Sequence, residues 1–288
     1  MLSFREYLRE ADGDKVQPKN KTELKEIVEK TIKEKGLNCD LNFIDTSKIT
    51  DMSELFAYAK FNGDISNWNV SNVESMENMF RFSKFQGDIS KWNVSNVKNM
   101  SAMFESSEFN GNISKWDVSN VKRMDFMFMY SKFNQNISKW NVSNVENMNS
   151  MFVDSAFDSD ISKWNVSNVR IMESMFRDSV FNKDISKWDV SSVENMRSMF
   201  MNSKFDRDIS KWNVRNVEDM SSMFLNSNFN QDISKWNVRN VEDMRDIFRN
   251  SKFAGDISDW DVRHVKYAED MFDNCPLEDK PEFQPKKD

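Results

Sequence analysis

The nine tryptophans of this chain stand at one spacing: Trp68, Trp92, Trp116, Trp140, Trp164, Trp188, Trp212, Trp236 and Trp260, each 24 residues from the next. A phenylalanine column keeps the same step from Phe56 through Phe80 and Phe104 to Phe272. A fixed period of about 20–50 residues marks an array of small units, none of which can bury its apolar face alone. The 288 residues are therefore read as one array rather than as two globular domains.

Within one unit, residues 65 to 88, the run ISNWNV favours a strand, on which Trp68 and Val70, two apart, share a face. Ser71 followed by Glu74 is a capping-box pattern, and Val73, Met76, Met79 and Phe80 then follow at one helical stripe. The segment FRFSKFQGD returns the chain, with Phe85 apolar and glycines such as Gly63 and Gly87 suited to a turn. Each unit reads as strand, turn, short helix and loop. The chain reads as an α/β solenoid of ten such 24-residue strand–helix repeats with an N-terminal helical cap. The expected core is the set of columns that begin at Ile65, Trp68, Val70, Val73, Met76, Met79, Phe80 and Phe85. Methionine is unbranched and fills irregular gaps, and most of the 20 methionines fall in two of these columns. Polar columns also repeat, at Ser66, Asn72 and Ser83 and their equivalents, and are expected to hydrogen-bond along the array.

The ends of the chain differ from its middle. Residues 1–20 read as an N-terminal peptide and linker, and 21–40 as a capping helix opened at Thr22 and stopped at Gly36. Residues 41–276 carry the repeats, the first degenerate and without its tryptophan. Residues 277–288, with Pro281, Pro285 and the closing lysines, read as a disordered tail. A formal charge of −7 argues against general nucleic-acid binding. No apolar run approaches the roughly 18 residues of a membrane span. The N-terminus, with Glu6 and Glu10, does not read as a secretory signal. Cys39 and Cys275 lie at opposite ends and read as free thiols of a reducing compartment.

Catalytic signals are poor. The one histidine, His264, lies on an end repeat, there is no phosphate-binding glycine loop, and the carboxylates simply follow the period. The expectation is no enzyme activity, no metal and no cofactor. Binding signals are better. With Trp68 and Val70 inward, positions 67, 69 and 71 face outward. The first of these columns reads Asn67, Lys91, Lys115, Lys139, Lys163, Lys187, Lys211, Lys235, Asp259. Column 71 is serine through Ser191 and then Arg215, Arg239 and Arg263, with the expected helix N-termini beside it. Lys163, Lys187, Lys211, Lys235, Arg215, Arg239 and Arg263 thus form a candidate site for an acidic protein partner of a monomeric scaffold. The rival reading pairs each lysine with the Asp88-type column three residues earlier, as a solvated stripe.

The segments TELKEIVEKTIKEKG, LNFIDTSKITDMSELF and FNGDISNWNVSNV with MENMF resemble the BspA-like leucine-rich repeat family, also called DUF285 or the Mycoplasma-type lipoprotein repeat family. The resemblance covers residues 20 to 276. It implies a leucine-rich-repeat-like α/β solenoid, no enzymatic activity, and, for surface members, adhesion and protein binding. The N-terminal MLSFREYLREA resembles the capsid-targeting peptides of T-even-type phage head proteins, which are cut after a Leu-x-Glu site. Leu8, Glu10 and Ala11 match that site. These resemblances imply a phage-encoded binding scaffold, inside the virion or in the host cytoplasm, that acts on a host protein. The alternative is a bacterial cell-surface adhesin.

Overall fold

A computed structural model of the protein describes residues 15–285. Among the described residues the one α-helix, α1, spans Lys21–Lys35. The helix begins one residue before Thr22: Asn20 is the N-cap, its side chain accepting from the Glu23 N–H at 3.0 Å, while a Glu23 carboxylate oxygen accepts from the Lys19 N–H at 2.8 Å. Gly36, at φ 91°, closes the helix by donating to the Ile32 carbonyl at 2.8 Å. Leu24, Ile27, Val28 and Thr31 are its buried face.

The repeats stack in register, but not as strands and helices. Successive units touch through single parallel bridges that step along the chain from Asp51 and Ser75 to Asp243 and Tyr267. Among the described residues none of these grows into a strand, and no repeat contains a helix. The α/β strand–helix reading is thereby corrected, together with the helix N-termini it placed beside column 71.

The hydrogen bonds give the physical reason. A helix would need each N–H of residues 76–83 to reach back four residues. Instead the N–H groups of Met76, Asn78, Phe80 and Phe82 donate to the carbonyls of Asn99, Ser101, Met103 and Glu105 in the next coil, at 2.8–2.9 Å. The intervening Met79, Arg81 and Ser83 donate three residues back within their own coil. Even residues therefore give their N–H groups to the next coil, while odd residues lend their carbonyls to the coil before, so the main chain of this segment is satisfied without a helix or a sheet. The four-bond row recurs at every junction from Met52 to Asn250.

Two residues per coil hold this path by taking left-handed backbone conformations. They are Asn78 and Phe82 in one coil, at φ 55° and 53°, and their equivalents in the others. Side chains pre-empt the helix as well. Asn69 Oδ1 accepts from the Ser71 N–H, Asn99 Oδ1 from the Ser101 N–H and Ser83 Oγ from the Phe85 N–H, all local turns that compete with helical bonding.

The core columns are buried as expected, in one continuous cluster from Val16 to Leu277. Phenylalanine rings stack coil on coil, Phe80 on Phe104 at 5.6 Å and Phe85 on Phe109 at 6.3 Å. Each tryptophan spans a junction: the indole N–H of Trp164 donates to the Ile137 carbonyl of the preceding coil at 3.1 Å, and the other eight do the same. The asparagine column acts likewise, Asn96 donating to the Ser71 carbonyl at 2.6 Å. The stack is closed at its N-terminal end by α1, whose Lys21 bonds Asp51 and Ser53 of the first coil. At the other end the expectation of disorder from residue 277 is corrected for the described part. Leu277 is fully buried, the 3-10 turn Pro281–Phe283 follows, and the Phe283 carbonyl accepts from the Ile257 N–H at 3.0 Å.

Candidate protein-binding surface

The basic columns sit on a corner of the coil that the sequence builds residue by residue. In the coil of Lys211, Asp208 Oδ1 accepts from the Ser210 N–H at 2.8 Å. The Trp212 N–H donates to the Ile209 carbonyl at 3.0 Å, and the indole is fixed inward on Ile185. Lys211, between an anchored turn and an anchored ring, faces solvent. The same turn recurs at Asp160, Asp184 and Asp232, so Lys163, Lys187, Lys211 and Lys235 form one exposed column.

These carboxylates are primarily turn caps. Hydrogen bonds from Ser210 hold Asp208 below the usual carboxylate range, and Lys211 contributes less. Asp160, Asp184 and Asp232 are lowered in the same way by Ser162, Ser186 and Ser234. No ion pair within 4.0 Å forms at Lys163, Lys187 or Lys211 among the described residues, whereas Lys235 lies 3.5 Å from Asp259. Both members of that pair are about 80 % exposed, so its worth is small, about 0–1 kcal/mol.

The arginine column lies four residues further along. Arg215 and Arg239 are exposed, and their N–H groups are held by Asn213 and Asn237 at 3.4 and 3.3 Å. Their guanidinium groups form no salt bridge among the described residues. Arg263 differs: it grips Asp261 with two bonds of 2.8 and 2.7 Å, which drive the Asp261 carboxyl far below its ordinary range. The structure thus brings Lys163, Lys187, Lys211, Arg215 and Arg239 together as unpaired cations on one corner and ties Lys235 and Arg263 to aspartates. Beside Lys235 lies an open depression of about 500 Å³ bordered by Asp232, Asp256 and Asp259. Leu8, Glu10 and Ala11 lie outside the described residues. Among the described residues no group of three or more His, Cys, Asp or Glu side chains is arranged to hold a metal ion, and no helix is long and apolar enough to cross a membrane. Cys39 and Cys275 are both buried, which raises their thiol pKa values.

The sequence reading passed over a second surface. Position 82 of each coil takes a left-handed conformation, and in the first coils it carries exposed rings at Tyr58, Phe82 and Tyr130. The signal was present as a column that reads Tyr, Phe, Ser, Tyr and then only Asp or Asn.

Comparison with curated proteins and with solved structures returns no match. A family model, Mycoplasma protein of unknown function, DUF285, matches residues 22–131, 105–204 and 172–282, which together take in the ten coils and all of α1 but its first residue. The chain belongs to this DUF285 repeat family.

Proposed function

We propose that this protein is a non-catalytic scaffold that binds an acidic protein partner through the basic corner of its C-terminal coils. The observation that carries the reading is the change from serine to arginine at column 71. Core packing does not demand it, because the position is outward and the neighbouring columns Trp212, Val214 and Val217 are as buried as their counterparts before the change. Guanidinium forks recognise carboxylates in a way that serine cannot.

The test compares the intact chain with the triple variant Arg215→Ser, Arg239→Ser, Arg263→Ser, using a fluorescent poly-glutamate peptide as probe. Binding by the parent should fall steeply with salt; the variant should bind about tenfold more weakly, with a flatter salt dependence. Equal affinity at low salt overturns the reading.

The narrower form, a phage-encoded head protein that is packaged, cut after Glu10 and injected to act on a host protein, is supported by residues 1–11 alone. Mass spectrometry of purified particles decides it. A chain beginning at Ala11 supports it, and finding only the full-length chain, or none, counts against it.

A further inference from the structure

The row of hydrogen bonds that joins each coil to the next has no continuation at the last one. Its final complete set runs from the N–H groups of Met244, Asp246, Phe248 and Asn250 to the carbonyls of Tyr267, Glu269, Met271 and Asp273. The equivalent donors of the last coil are Ala268, Asp270, Phe272 and Asn274. The Asn274 N–H meets a carboxylate oxygen of Glu278 at 2.8 Å. Among the described residues the other three N–H groups have no hydrogen-bond partner. The tail bonds elsewhere on the coil, the Phe283 carbonyl accepting from the Ile257 N–H. A row of unpaired backbone groups at the edge of an array is a template for another chain.

The side chains at this end are also incompletely covered. Met271 and Phe272 are only partly buried, where Ile247 and Phe248 one coil earlier are fully buried. Phe272 stacks on Phe248 at 6.2 Å by one face, and no further ring stacks on it among the described residues. Residues 269–279 hold five carboxylates and no cation. Asp270 lies 3.4 Å from Arg249, whereas Glu269 and Asp273 form no ion pair within 4.0 Å among the described residues. The cations nearby are engaged: Lys266 on Glu242, Arg245 on Asp243, Arg249 on Asp246 and Asp270, and Lys280 over the Phe283 ring.

The row offers donors only, because the carbonyls between them are taken by the coil before. Two copies therefore cannot pair through it end to end. The first coil of another copy, which has the matching carbonyls, is closed by α1, whose Lys21 bonds Asp51 and Ser53. Donors two residues apart along a chain match the alternate carbonyls of an extended segment rather than a single ion. The unpaired Glu269 and Asp273 favour basic side chains on that segment.

We propose that this end of the stack takes an extended basic segment of a partner protein, which lends alternate main-chain carbonyls to Ala268, Asp270 and Phe272 as a further coil would. Its apolar side chains cover Met271 and Phe272 at the spacing of Met244, Ile247 and Phe248. The surface is separate from the basic corner and does not depend on it. The test follows the backbone amide NMR signals of the full chain during titration with an acetylated and amidated peptide of residues 244–251, whose acetyl carbonyl stands for the first carbonyl of the row. The Ala268, Asp270 and Phe272 signals should shift and those of Met124, Phe126 and Phe128 should not. A peptide carrying Arg245→Glu and Arg249→Glu should bind at least fivefold more weakly. On the protein, Ala268→Pro removes a donor that bonds nothing in the chain, and Glu269→Lys with Asp273→Lys inverts the charge while keeping every donor; each should weaken the first peptide at least fivefold. No shift at millimolar peptide, equal binding of the two peptides, or a response unchanged in both variants overturns the proposal. So do equal shifts with acetate alone, the mark of an ion site, and shifts that grow with protein concentration alone, the mark of a second copy.

Discussion

Helix α1 and the segment 76–83 bury the same pattern by different backbones. In α1 the inward residues are Leu24, Ile27, Val28 and Thr31; in the coil they are Met76, Met79, Phe80 and Ser83, with identical spacing. The helix closes its hydrogen bonds on itself and is capped by Asn20 and Gly36. The coil segment exports every second N–H to its neighbour and bends through two left-handed residues. A helix is the cheaper choice for a segment with no like neighbour to bond. In an array, an identical coil always stands 24 residues away in register, and its carbonyls compete with those four residues back. An apolar stripe at helical spacing therefore reports which residues face inward, not the path that takes them there.

The largest expected effect tests the shared part of this comparison, the burial pattern. Trp164→Ala opens a core cavity and leaves the Ile137 carbonyl without its indole donor, at a cost of about 3–5 kcal/mol. Lys163→Ala, one residue away and exposed, should cost about 0–1 kcal/mol. Equal shifts in the urea midpoint would mean that the inward and outward sides of this corner are reversed.

A smaller effect tests the part that differs. Glu26→Gly on the exposed side of α1 should destabilise by about 1 kcal/mol, as glycine does inside helices. Ser222→Gly, at φ 56°, should be neutral or stabilising by up to about 1 kcal/mol, because glycine enters the left-handed region freely. Opposite signs in thermal melts support the coil path; a matching loss at both sites would indicate a helix in the repeat.

The smallest effect concerns the turns that displace strands from the corner. Hydrogen bonds from serine lower Asp160, Asp184, Asp208 and Asp232 below the unfolded value of about 3.9. Depressed carboxylates contribute stability that is complete above the unfolded pKa and lost as pH falls through the folded one, so the loss should appear below about pH 4. Asn112 and Asn136 make the same turn without a titrating proton, at 3.0 and 2.9 Å. Changing the four aspartates to asparagine should therefore narrow the difference in urea midpoint between pH 7 and pH 3. An unchanged difference would assign acid sensitivity to other groups.

The core was legible because burial repeats every 24 residues whatever the backbone does; Ile65, Trp68, Val70 and Phe85 needed no secondary structure to be placed inside. The path was not legible from the same stripe. Ser71 looked like a helix cap, but its hydroxyl donates to Asn69 Oδ1 at 2.7 Å in a local turn. The left-handed positions carry residues such as Ala102, Phe126 and Ser150 rather than glycine, so the usual marker was missing there. The run of Asp and Asn from Asp154 to Asn274 was the available clue. Exposure of the basic column could be read from its anchored neighbours. The grip of Arg263 on Asp261 left a mark in the sequence, an aspartate where Arg215 and Arg239 have asparagine two residues before, but the two bonds themselves needed side-chain geometry.

The four-bond row at each junction also makes the protein a mechanical object. Pulled apart from its two ends, the array can give way one junction at a time, since each coil is joined only to the coils beside it. Every coil that peels away releases 24 residues, about 80 Å of extended chain at roughly 3.3–3.6 Å per residue. A tether built this way lengthens in equal steps under tension, and the coils still stacked keep their register.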